Sequence, residues 1–368
     1  MINVTKSFLP PFEEYTAYLK GVWETAHLTN HGPLVTSLEA RLKEYFNVPH
    51  FYFLNNGTIA LQIALKALDI KGEVITTPFS YVATTSSIVW ENAHPVFADI
   101  DPATFTIDAS KIEAAITPRT SAILATHVYG VPCDTEAIDA IAKKYNLKVI
   151  YDAAHAFGVQ YKGKNLLNYG DISTLSFHAT KLFHTVEGGG IIAGDSEVAH
   201  RISYLRNFGH NGQEAFWGMG INGKSSEIHA AMGLCVLPYL DEIISKRKAI
   251  SELYDEIFLE SGVSLQRPQI PEGTVYNYGY YVVFMKSEEQ LLNVRDALNA
   301  EGIYPRRYFY PSLNQLPYIN STAHVPVSED AACRALCLPL YHDLPHDAVE
   351  KICSVIARQV KKGNAVLL

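Results

Sequence analysis

The stretch Lys148-Val149-Ile150-Tyr151-Asp152-Ala153-Ala154-His155 indicates the fold more directly than any other part of the sequence. Its first residues are apolar with little polar alternation, which is typical of a strand buried on both faces of a parallel sheet. Asp152 ends this strand, and a carboxylate buried there needs a cationic partner because burying it alone is costly. We therefore predict a covered parallel sheet that binds a ligand at the carboxyl ends of its strands.

Short apolar runs alternate with helical patterns on both sides of this stretch, from about residue 50 to about residue 195. Alternation of this kind implies right-handed crossovers and predicts a three-layer α/β/α fold with a mostly parallel sheet. The predicted strands are His50–Leu54, Glu73–Thr77, Pro95–Asp99, Ala122–Thr126, Lys148–Tyr151, Asp171–Phe177 and Gly190–Ala193. The predicted helices between them are Thr58–Leu68, Thr84–Glu91 and Thr135–Tyr145.

The pattern changes after about residue 225, where longer helices and one aromatic run replace the alternation. The predicted elements are a helix kinked at Pro238, an aromatic strand and two further helices: Ser226–Glu260, Tyr276–Met285, Ser287–Gly302 and Asp347–Lys361. We expect this part to form a smaller α+β domain. The large domain would then comprise residues 1–240 and the small domain residues 241–368.

Composition limits the class of protein. The 368 residues carry 30 Lys and Arg against 38 Asp and Glu, a net charge of −8, and 48% of them are hydrophobic, as in a soluble globular protein. A net negative chain without a long basic run is not expected to bind nucleic acid. The apolar stretches are shorter than the roughly 18 residues of a membrane span, and no signal-peptide pattern is present. A cytoplasmic protein without membrane partners is predicted.

Cysteine and histidine residues near the C-terminus raise the question of a metal site. Cys333, Cys337, His342 and His346 together suggest zinc. The spacing Cys-Arg-Ala-Leu-Cys is instead typical of a helix face that turns two small apolar residues to the core. We therefore predict no metal.

The segment Gly218–Ser225 matches the P-loop pattern G-x-x-x-x-G-K-S of nucleotide hydrolases. A P-loop needs a buried strand before it and a helix after it, so that backbone amides hold phosphates. The preceding segment, residues 209–217, is polar and rich in glycine. We interpret the match as chance, and a P-loop nucleotide hydrolase stays as a lesser alternative.

Three features follow predicted strands at the edge where an open α/β sheet binds ligands. Asn56-Gly57-Thr58 opens a helix whose free amides suit a phosphate, Asp152 supplies a carboxylate, and Lys181 in the stretch 176–181 is a candidate Schiff-base nucleophile. Taken one at a time, each has an ordinary structural alternative. The helix start could be only a turn and cap, Asp152 could be structural, and Lys181 could be an exposed lysine in solvent. The ordered set favours pyridoxal phosphate (PLP), with the lysine as its covalent partner and the aspartate at its ring nitrogen.

With these residues the sequence resembles the DegT/StrS family of PLP-dependent sugar-nucleotide aminotransferases over most of its length. The resemblance implies the fold-type I, aspartate aminotransferase-like fold of that family. The matching stretches are Leu28–Pro33, Asn56–Leu61, Thr77–Thr84, His127–Gly130, Tyr151–Gly158, Ser176–Lys181 and Glu187–Gly189.

The resemblance implies a role for each matching residue. Lys181 would hold the cofactor and move the proton between substrate and cofactor, and Asp152 would pair with the ring nitrogen. The rest of the cofactor shell would be Tyr81 stacked on the ring, His155 packed near it, and Gly57, Thr58 and Ser176 at the phosphate.

Asn222, inside the P-loop-like segment, matches the asparagine with which this family reaches the phosphate of the neighbouring subunit. The resemblance therefore implies a homodimer with shared active sites. Gly223 and Lys224 depart from the family pattern, in which an aromatic residue and an arginine follow the asparagine.

Lys181 favours transamination, since family members with histidine at this position are dehydratases. The loop that ends in Glu187-Gly188-Gly189 resembles the branch that aminates C4 of nucleotide-linked 4-keto-6-deoxyhexoses. The predicted reaction moves the amino group of L-glutamate to dTDP-4-keto-6-deoxy-D-glucose, for a cell-surface polysaccharide such as O-antigen. The alternatives are C3 amination, another nucleotide, and a non-catalytic sensor that binds sugar nucleotides.

An aromatic and basic stretch, Tyr304–Pro311, is expected to border the sugar site, although a loop packed by its own rings is an alternative. Its candidate substrate residues are Arg306, Arg307, Tyr308 and Tyr310. Arg206 and His210 are weaker candidates for contact with a diphosphate or a carboxylate.

Overall fold

The computed structural model describes residues 1–365, and its centre is a mostly parallel sheet covered by helices on both faces. The strands are β1 Ile2–Asn3, β2 His50–Leu54, β3 Glu73–Thr76, β4 His94–Phe97, β5 Thr120–Thr126, β6 Lys148–Asp152, β7 Gln160–Tyr161, β8 Lys164–Asn165, β9 Ile172–Ser176, β10 Gly189–Ala193, β11 His210–Asn211, β12 Ala215–Phe216, β13 Thr274–Val275, β14 Tyr281–Phe284, β15 Ile303–Tyr304 and β16 Ala335–Leu338. The helices are α1 Phe12–Thr25, α2 Pro33–Phe46, α3 Gly57–Ala67, α4 Val82–Trp90, α5 Ala109–Ala115, α6 Thr135–Tyr145, α7 Ser196–Leu205, α8 Glu227–Val236, α9 Leu240–Glu260, α10 Glu288–Ala300, α11 Pro326–Arg334 and α12 His346–Ala365. The predicted α/β fold is confirmed.

Within this described range the central sheet has seven strands, in the order β2-β10-β9-β6-β5-β3-β4. Strand β10 runs antiparallel between β2 and β9, and the remaining pairs are parallel. Every residue of β3 and β10 is buried, as expected of strands covered on both faces. Because β5, β6 and β9 are neighbours in parallel register, their carboxyl ends bring Thr126, Asp152 and Ser176 to one edge.

Apolar side chains fill the space between the sheet and its two helical layers. Ile192 of β10 packs in a cluster with residues of α2 and α8, including Leu38 and Leu234. The preceding residue, Ile191, packs in a different cluster with residues of α3 and α7 such as Ile202. Successive residues of a strand point to opposite faces, so these two clusters are the upper and lower halves of a three-layer core.

Two buried carboxylates cap helices that lie far away in the sequence. Glu227 accepts hydrogen bonds from the backbone N–H groups of Leu34 and Val35, in the first turn of α2, at 2.8 and 2.9 Å. Asp99, just beyond β4, accepts bonds of 3.0 and 2.9 Å from two amides in the first turn of α11. A carboxylate at a helix N-terminus is stabilised by the free amides and by the helix dipole. These contacts therefore join distant segments without needing a lysine or arginine.

The structure corrects two sequence-based expectations in the C-terminal part. The predicted strand Tyr276–Met285 forms only as Tyr281–Phe284, because Tyr278 adopts a φ of 51° and turns the chain out of the extended conformation. The predicted helix face at Cys333–Cys337 is wrong, since α11 ends at Arg334 and β16 begins one residue later. Among residues 1–365 no group of three or more His, Cys, Asp and Glu is placed to hold a metal ion.

The predicted kink at Pro238 is confirmed. A short 3-10 turn, Leu237–Tyr239, separates α8 from α9. In the part of the chain that the structure describes, Glu227–Glu260 is the one helical run long and apolar enough to cross a membrane. Of the most apolar 18-residue segment of this run, 50% is buried inside the fold.

His127, directly after β5, is a buried histidine with one unused ring nitrogen. Its ring stacks on Tyr151 with centroids 4.5 Å apart, and its Nδ1 accepts a hydrogen bond of 3.1 Å from the backbone N–H of Cys133. The Nε2 atom has no partner among the described residues. Burial lowers the pKa of His127 to about 3.

Acidification is expected to destabilise the protein through His127. Below about pH 6.5 the unfolded chain binds a proton that the folded chain does not bind, so the free energy of unfolding should fall by about 1.4 kcal/mol per pH unit towards pH 3. His127→Asn keeps an acceptor for the Cys133 amide and removes this titration. Urea denaturation at several pH values should give His127→Asn a smaller loss on acidification than the wild type. The matched control, His94→Asn on the exposed edge of the sheet, should keep the wild-type loss. Equal losses for His127→Asn and the wild type would contradict the assignment.

Candidate active site

Asp152 ends β6 as a buried carboxylate whose hydrogen-bond partners are neutral. Its Oδ2 accepts a bond from the hydroxyl of Thr84 at 2.7 Å, and its Oδ1 accepts one from the backbone N–H of Ala154 at 3.1 Å. Burial raises the pKa of Asp152, against the two hydrogen bonds and the charge of the nearby Lys181. A carboxylate buried on neutral partners stays short of compensating charge, so it favours a cationic group in the space beside it.

Lys181 lies in the loop that follows β9, and the structure brings it close to Asp152. Its Nζ donates a hydrogen bond to the hydroxyl of Tyr280 at 3.3 Å. Burial lowers the pKa of Lys181, and the charge of Asp152 opposes this shift. A lowered pKa raises the fraction of neutral amine, which is the nucleophilic form. The two residues predicted to carry the chemistry therefore lie close enough for the charge of each to affect the pKa of the other.

The predicted phosphate residues lie together at the start of α3. Asn56 caps this helix, because its Oδ1 accepts a bond from the Ile59 amide at 2.9 Å. A Cβ atom placed on Gly57 would lie 3.0 Å from the Cβ of Ser176, so these two residues are in contact. Within residues 1–365 the hydroxyls of Thr58 and Ser176 make no hydrogen bond. Free hydroxyls beside the first amides of a helix are suited to bind a phosphate.

The glycine run 188–190 passes directly beneath this helix start. A Cβ atom on Gly189 would lie 2.4 Å from the carbonyl oxygen of Asn56 and 2.8 Å from the amide nitrogen of Gly57. Contacts this short with main-chain atoms require the backbone to move. Glycine at this position therefore sets how closely β10 and α3 approach each other.

Aromatic rings surround the space beside Asp152 and Lys181. His155 is buried, its Nδ1 accepts a bond from the Tyr129 amide at 3.0 Å, and its ring lies parallel to Phe309 with centroids 5.5 Å apart. Burial lowers the pKa of His155 well below its usual range, and the charge of Lys181 adds to this effect. Tyr81, at the start of α4, is 57% exposed and its ring lies 6.4 Å from Phe309. Tyr81 therefore has an open face, as the predicted stacking role requires.

Asn222 is exposed, and its backbone carbonyl accepts a hydrogen bond of 3.3 Å from the side chain of Asn55, next to the helix start of α3. The Oδ1 of Asn222 accepts a bond of 2.9 Å from the ammonium of Lys224. A Cβ atom on Gly223 would lie 3.0 Å from a methyl group of Ile63 in α3. The glycine that replaces the expected aromatic residue thus lets the loop lie against α3, and Lys224 orients the asparagine from its own chain.

The P-loop interpretation of Gly218–Ser225 is not supported by the geometry. The segment before it forms the short hairpin β11–β12 in place of a buried strand. Helix α8 begins at Glu227 with Ser226 as its cap, so Lys224 precedes the helix cap. The spatial arrangement that allows a P-loop to hold phosphates is missing here.

Some residues of the stretch Tyr304–Pro311 pack against other side chains, and others are exposed. Arg307 donates a bond of 2.6 Å to Glu288, and its guanidinium lies 3.5 Å above the ring of Tyr310. Arg306 is exposed and pairs with Cys337 through its backbone. Tyr308 is close enough to Lys181 to affect the pKa of that lysine. Of the predicted substrate residues, Tyr308 thus lies near Lys181, and Arg307 is already engaged by an acidic and an aromatic side chain.

The weaker candidates Arg206 and His210 are both in contact with other side chains of the fold. Arg206 is buried, forms an ion pair with Glu39 and donates a bond of 3.2 Å to the carbonyl of Phe53. His210 belongs to the hairpin β11–β12, where its ring stacks on Phe216. The guanidinium of Arg206 is therefore already engaged by Glu39 and Phe53.

Sequence reasoning missed several residues that complete the site. Thr84 bonds to Asp152, Tyr280 bonds to Lys181, and Phe309 stacks on His155. Thr84 had a signal, since it stands in the recognised stretch Thr77–Thr84. Phe309 stands in the stretch Tyr304–Pro311, which was expected to border the sugar site, but it was not itself named as a candidate. Tyr280 had no signal, because it meets the site only in three dimensions.

A lysine of lowered pKa, a strand-end aspartate and a helix start with free amides, brought together on this fold, are the groups that a PLP-dependent enzyme needs. The model of the DegT/DnrJ/EryC1/StrS aminotransferase family matches residues 12–357. The chain belongs to this family, so the predicted class of enzyme and its cofactor are confirmed.

Individual proteins of known activity are similar to this chain over nearly its whole length. The chain is 44% identical to the dTDP-4-amino-4,6-dideoxy-D-glucose transaminase of Shigella dysenteriae over 370 residues, covering 98% of this chain and 99% of that protein. It is 42% identical to the enzyme of the same name from Escherichia coli over 367 residues, covering 96% and 98%. The crystal structure of DesI in the presence of its TDP-sugar product superposes with a TM-score of 0.93 at 31% identity, covering 100% of this chain and 94% of that one.

The residues present fit PLP. Asp152 is a buried carboxylate short of a cation, which a protonated ring nitrogen would provide. Lys181 has a lowered pKa, as a lysine that reacts with a carbonyl requires. The helix start at Gly57 offers free amides and hydroxyls to a phosphate.

Gly189→Ala is expected to weaken PLP binding about tenfold or more, because the added methyl group would displace the main chain at Asn56 and Gly57. The matched control is Gly194→Ala, one residue beyond the same strand, where a Cβ atom meets nothing within 4 Å. Titration of the cofactor-free variants with PLP, followed by absorbance, measures both affinities. Wild-type affinity in Gly189→Ala would show that the phosphate lies elsewhere.

Proposed function

We propose that the protein transfers the amino group of L-glutamate to C4 of dTDP-4-keto-6-deoxy-D-glucose and so makes dTDP-4-amino-4,6-dideoxy-D-glucose. The observation that carries this proposal is the identity of 44% and 42% with two transaminases named for that product, over nearly the whole of each chain. The lysine, the aspartate and the phosphate-binding residues are the local chemistry that such a reaction needs. We further propose that the enzyme works in the cytoplasm, in the synthesis of a cell-surface polysaccharide such as O-antigen.

Bound PLP supplies an electron sink that makes the Cα–H bond of the amino donor labile. Asp152 holds the proton on the ring nitrogen, because its buried carboxylate is stabilised by a positive partner. Gly57, Thr58 and Ser176 hold the phosphate at the start of α3. Tyr81 would stack on the ring, and His155 would pack near it.

Lys181 moves the proton. Its ε-amine has a lowered pKa, so it can take the proton from Cα of the donor as a base and return it as an acid. Proton transfer in both directions is easiest when the pKa of the catalytic group lies near the working pH. A buried lysine beside a single carboxylate meets that condition better than an exposed lysine does.

We assign the anionic part of the substrate to Arg306. Arg306 is exposed, whereas Arg307 is held by Glu288 and Tyr310. Tyr308 and Tyr310 offer hydroxyl groups along the same stretch. Arg307 then orders the loop, and Arg306 is the cation available to a diphosphate or a carboxylate.

We propose that the working unit is a homodimer in which Asn222 completes the site of the neighbouring subunit. Asn222 is exposed in the single chain, and its side chain is oriented by Lys224. Exposed apolar residues surround the same loop, among them Phe208, Phe216, Trp217 and Met219. A large exposed apolar surface next to a polar residue without a ligand is typical of a subunit interface.

We also place the boundary between a large domain, residues 1–240, and a small domain, residues 241–368, at the start of α9. Residues of α9, α10 and α12 share one apolar cluster that includes Tyr254, Leu298 and Ile352. A separate apolar core is what defines a domain.

The reaction is tested by incubating the protein with L-glutamate and dTDP-4-keto-6-deoxy-D-glucose and analysing the product by NMR. We expect an amine at C4 and one 2-oxoglutarate for each amine formed. Lys181→Ala should give no product, and Lys143→Ala, which changes an exposed lysine on α6, should keep wild-type activity. An amine at C3, no product with the wild type, or product from Lys181→Ala would overturn the proposal.

Shared sites are tested by complementation between two inactive variants. Lys181→Ala removes the catalytic amine, and Asn222→Asp places a negative charge beside the neighbouring phosphate. When the two variants are mixed, unfolded and refolded together, half of the dimers are mixed and each carries one intact site. We expect about a quarter of wild-type activity to return in the mixture. If each chain supplied its own Asn222, the mixture would stay inactive.

A further inference from the structure

The segment Asn277–Tyr280 is anchored from the sheet side by an asparagine. The Nδ2 of Asn277 donates hydrogen bonds of 2.9 Å to the carbonyl oxygens of His155 and Phe157, both in the chain that follows β6. Its Oδ1 accepts a bond of 3.0 Å from the amide of Gly279. Asn277 is buried, so these bonds form away from water, where polar groups are costly to leave unpaired.

Arg247 anchors the same segment from the other side. This buried arginine of α9 donates from Nε to the carbonyl of Tyr278 at 3.0 Å and from Nη2 to the carbonyl of Gly279 at 2.7 Å. Burial lowers its pKa to about 10. No carboxylate forms a salt bridge with it within residues 1–365. A buried guanidinium that binds two backbone carbonyls holds the unusual φ of 51° at Tyr278.

These anchors fix the position of Tyr280. Its hydroxyl accepts a hydrogen bond of 3.3 Å from Nζ of Lys181. Among the described residues, this is the hydrogen bond found for the lysine amine. Its ring packs on His155 with centroids 4.7 Å apart and on Tyr129 at 5.8 Å. Burial raises the pKa of the Tyr280 phenol, so the hydroxyl stays protonated at working pH.

A neutral phenol can both donate and accept a hydrogen bond. It accepts a bond from Lys181 when the lysine is an ammonium, and it donates a bond when the lysine is a free amine. A carboxylate such as Asp152 can serve only the first of these states. An amine that alternately takes up and releases a proton therefore has, in the phenol, a partner for both states.

We propose that Tyr280 holds the ε-amine of Lys181 in both protonation states during proton transfer, and that Arg247 and Asn277 are the residues that position Tyr280. This inference rests on the proposed function of Lys181 as the proton carrier. The ionisable groups that face the amine are Asp152 on β6, His155 after it, Tyr81 at the start of α4, Tyr308 in the loop after β15 and Tyr280 itself.

Tyr280→Phe tests the hydroxyl and keeps the ring. We expect kcat to fall about tenfold with little change in KM for glutamate, because a proton-transfer partner is lost while binding is kept. The deuterium isotope effect with [2-²H]glutamate should rise, since proton transfer becomes slower relative to the other steps. A structural role for the hydroxyl would not change the isotope effect.

A second readout needs neither substrate nor cofactor. In the cofactor-free full-length chain, acetic anhydride labelling quantified at Lys181 by mass spectrometry gives the pH midpoint of the amine. Tyr280→Phe removes a bond from both states, but the bond to the charged ammonium is the stronger one, so this midpoint should move down by about half a pH unit or more. Arg247→Lys, which keeps the charge but cannot bind both carbonyls, should move the midpoint in the same direction.

Tyr276→Phe is the matched control, because the Tyr276 hydroxyl bonds to the carbonyl of Tyr129 at 2.7 Å and does not contact Lys181. It should lower the melting temperature and leave both the midpoint and the isotope effect at wild-type values. Wild-type values in Tyr280→Phe, or the same shifts in Tyr276→Phe, would overturn the role of Tyr280. An unchanged midpoint in Arg247→Lys would overturn its positioning role. Failure of the wild type to aminate the sugar would count against the proposed function. The labelling of Lys181 would still show whether Tyr280 contacts its amine.

Discussion

A carboxylate buried at the end of a parallel strand is the constraint around which the site is arranged. Asp152 is covered by the sheet and its helices, and its direct partners are the hydroxyl of Thr84 and one amide. Neutral partners lower the cost of burying the charge but do not remove it. The charge of the neighbouring Lys181 offsets part of the cost, and the protonated ring of the cofactor would offset more in the role that we propose for Asp152.

The sheet explains why these groups meet. Strands β6 and β9 are parallel neighbours. Asp152 at the end of β6 and Lys181 in the loop after β9 therefore lie at the same edge of the sheet. Strand β10 returns antiparallel and brings its glycines beneath the start of α3. The start of α3, where we propose that the phosphate binds, is therefore held close against the sheet. Burial then adjusts the pKa values of the lysine and the aspartate in opposite directions.

Local patterns in the sequence predicted the parts of the structure that depend on nearby residues. Helix Thr135–Tyr145 was predicted to the residue, since Asp134 caps it and its apolar residues follow helical spacing. Helix α1 was not predicted, because only Val22 of its residues is buried and the apolar pattern is weak.

Contacts between distant segments had no sequence signal. The bond from Lys181 to Tyr280 joins residues 99 positions apart, and the cap that Glu227 provides for α2 spans nearly two hundred. Motif resemblance located Asp152 and Lys181, but it could not show what surrounds them. The replacement of an aromatic residue by Gly223 was visible in the sequence, and its reason, the close approach to α3, was not.

The crowded glycines have a consequence for how this enzyme can diverge. At Gly189 any side chain collides with main-chain atoms of Asn56 and Gly57, at the proposed phosphate site, so a side chain there requires the backbone to move. Arg306 and Tyr310 are exposed, and a new side chain at either position meets solvent first. In the role that we propose for the loop after β15, changes in the accepted sugar have open routes through this loop, while Gly189 beneath the proposed phosphate site stays fixed. A laboratory library aimed at new acceptors would best vary that loop and leave the glycines unchanged.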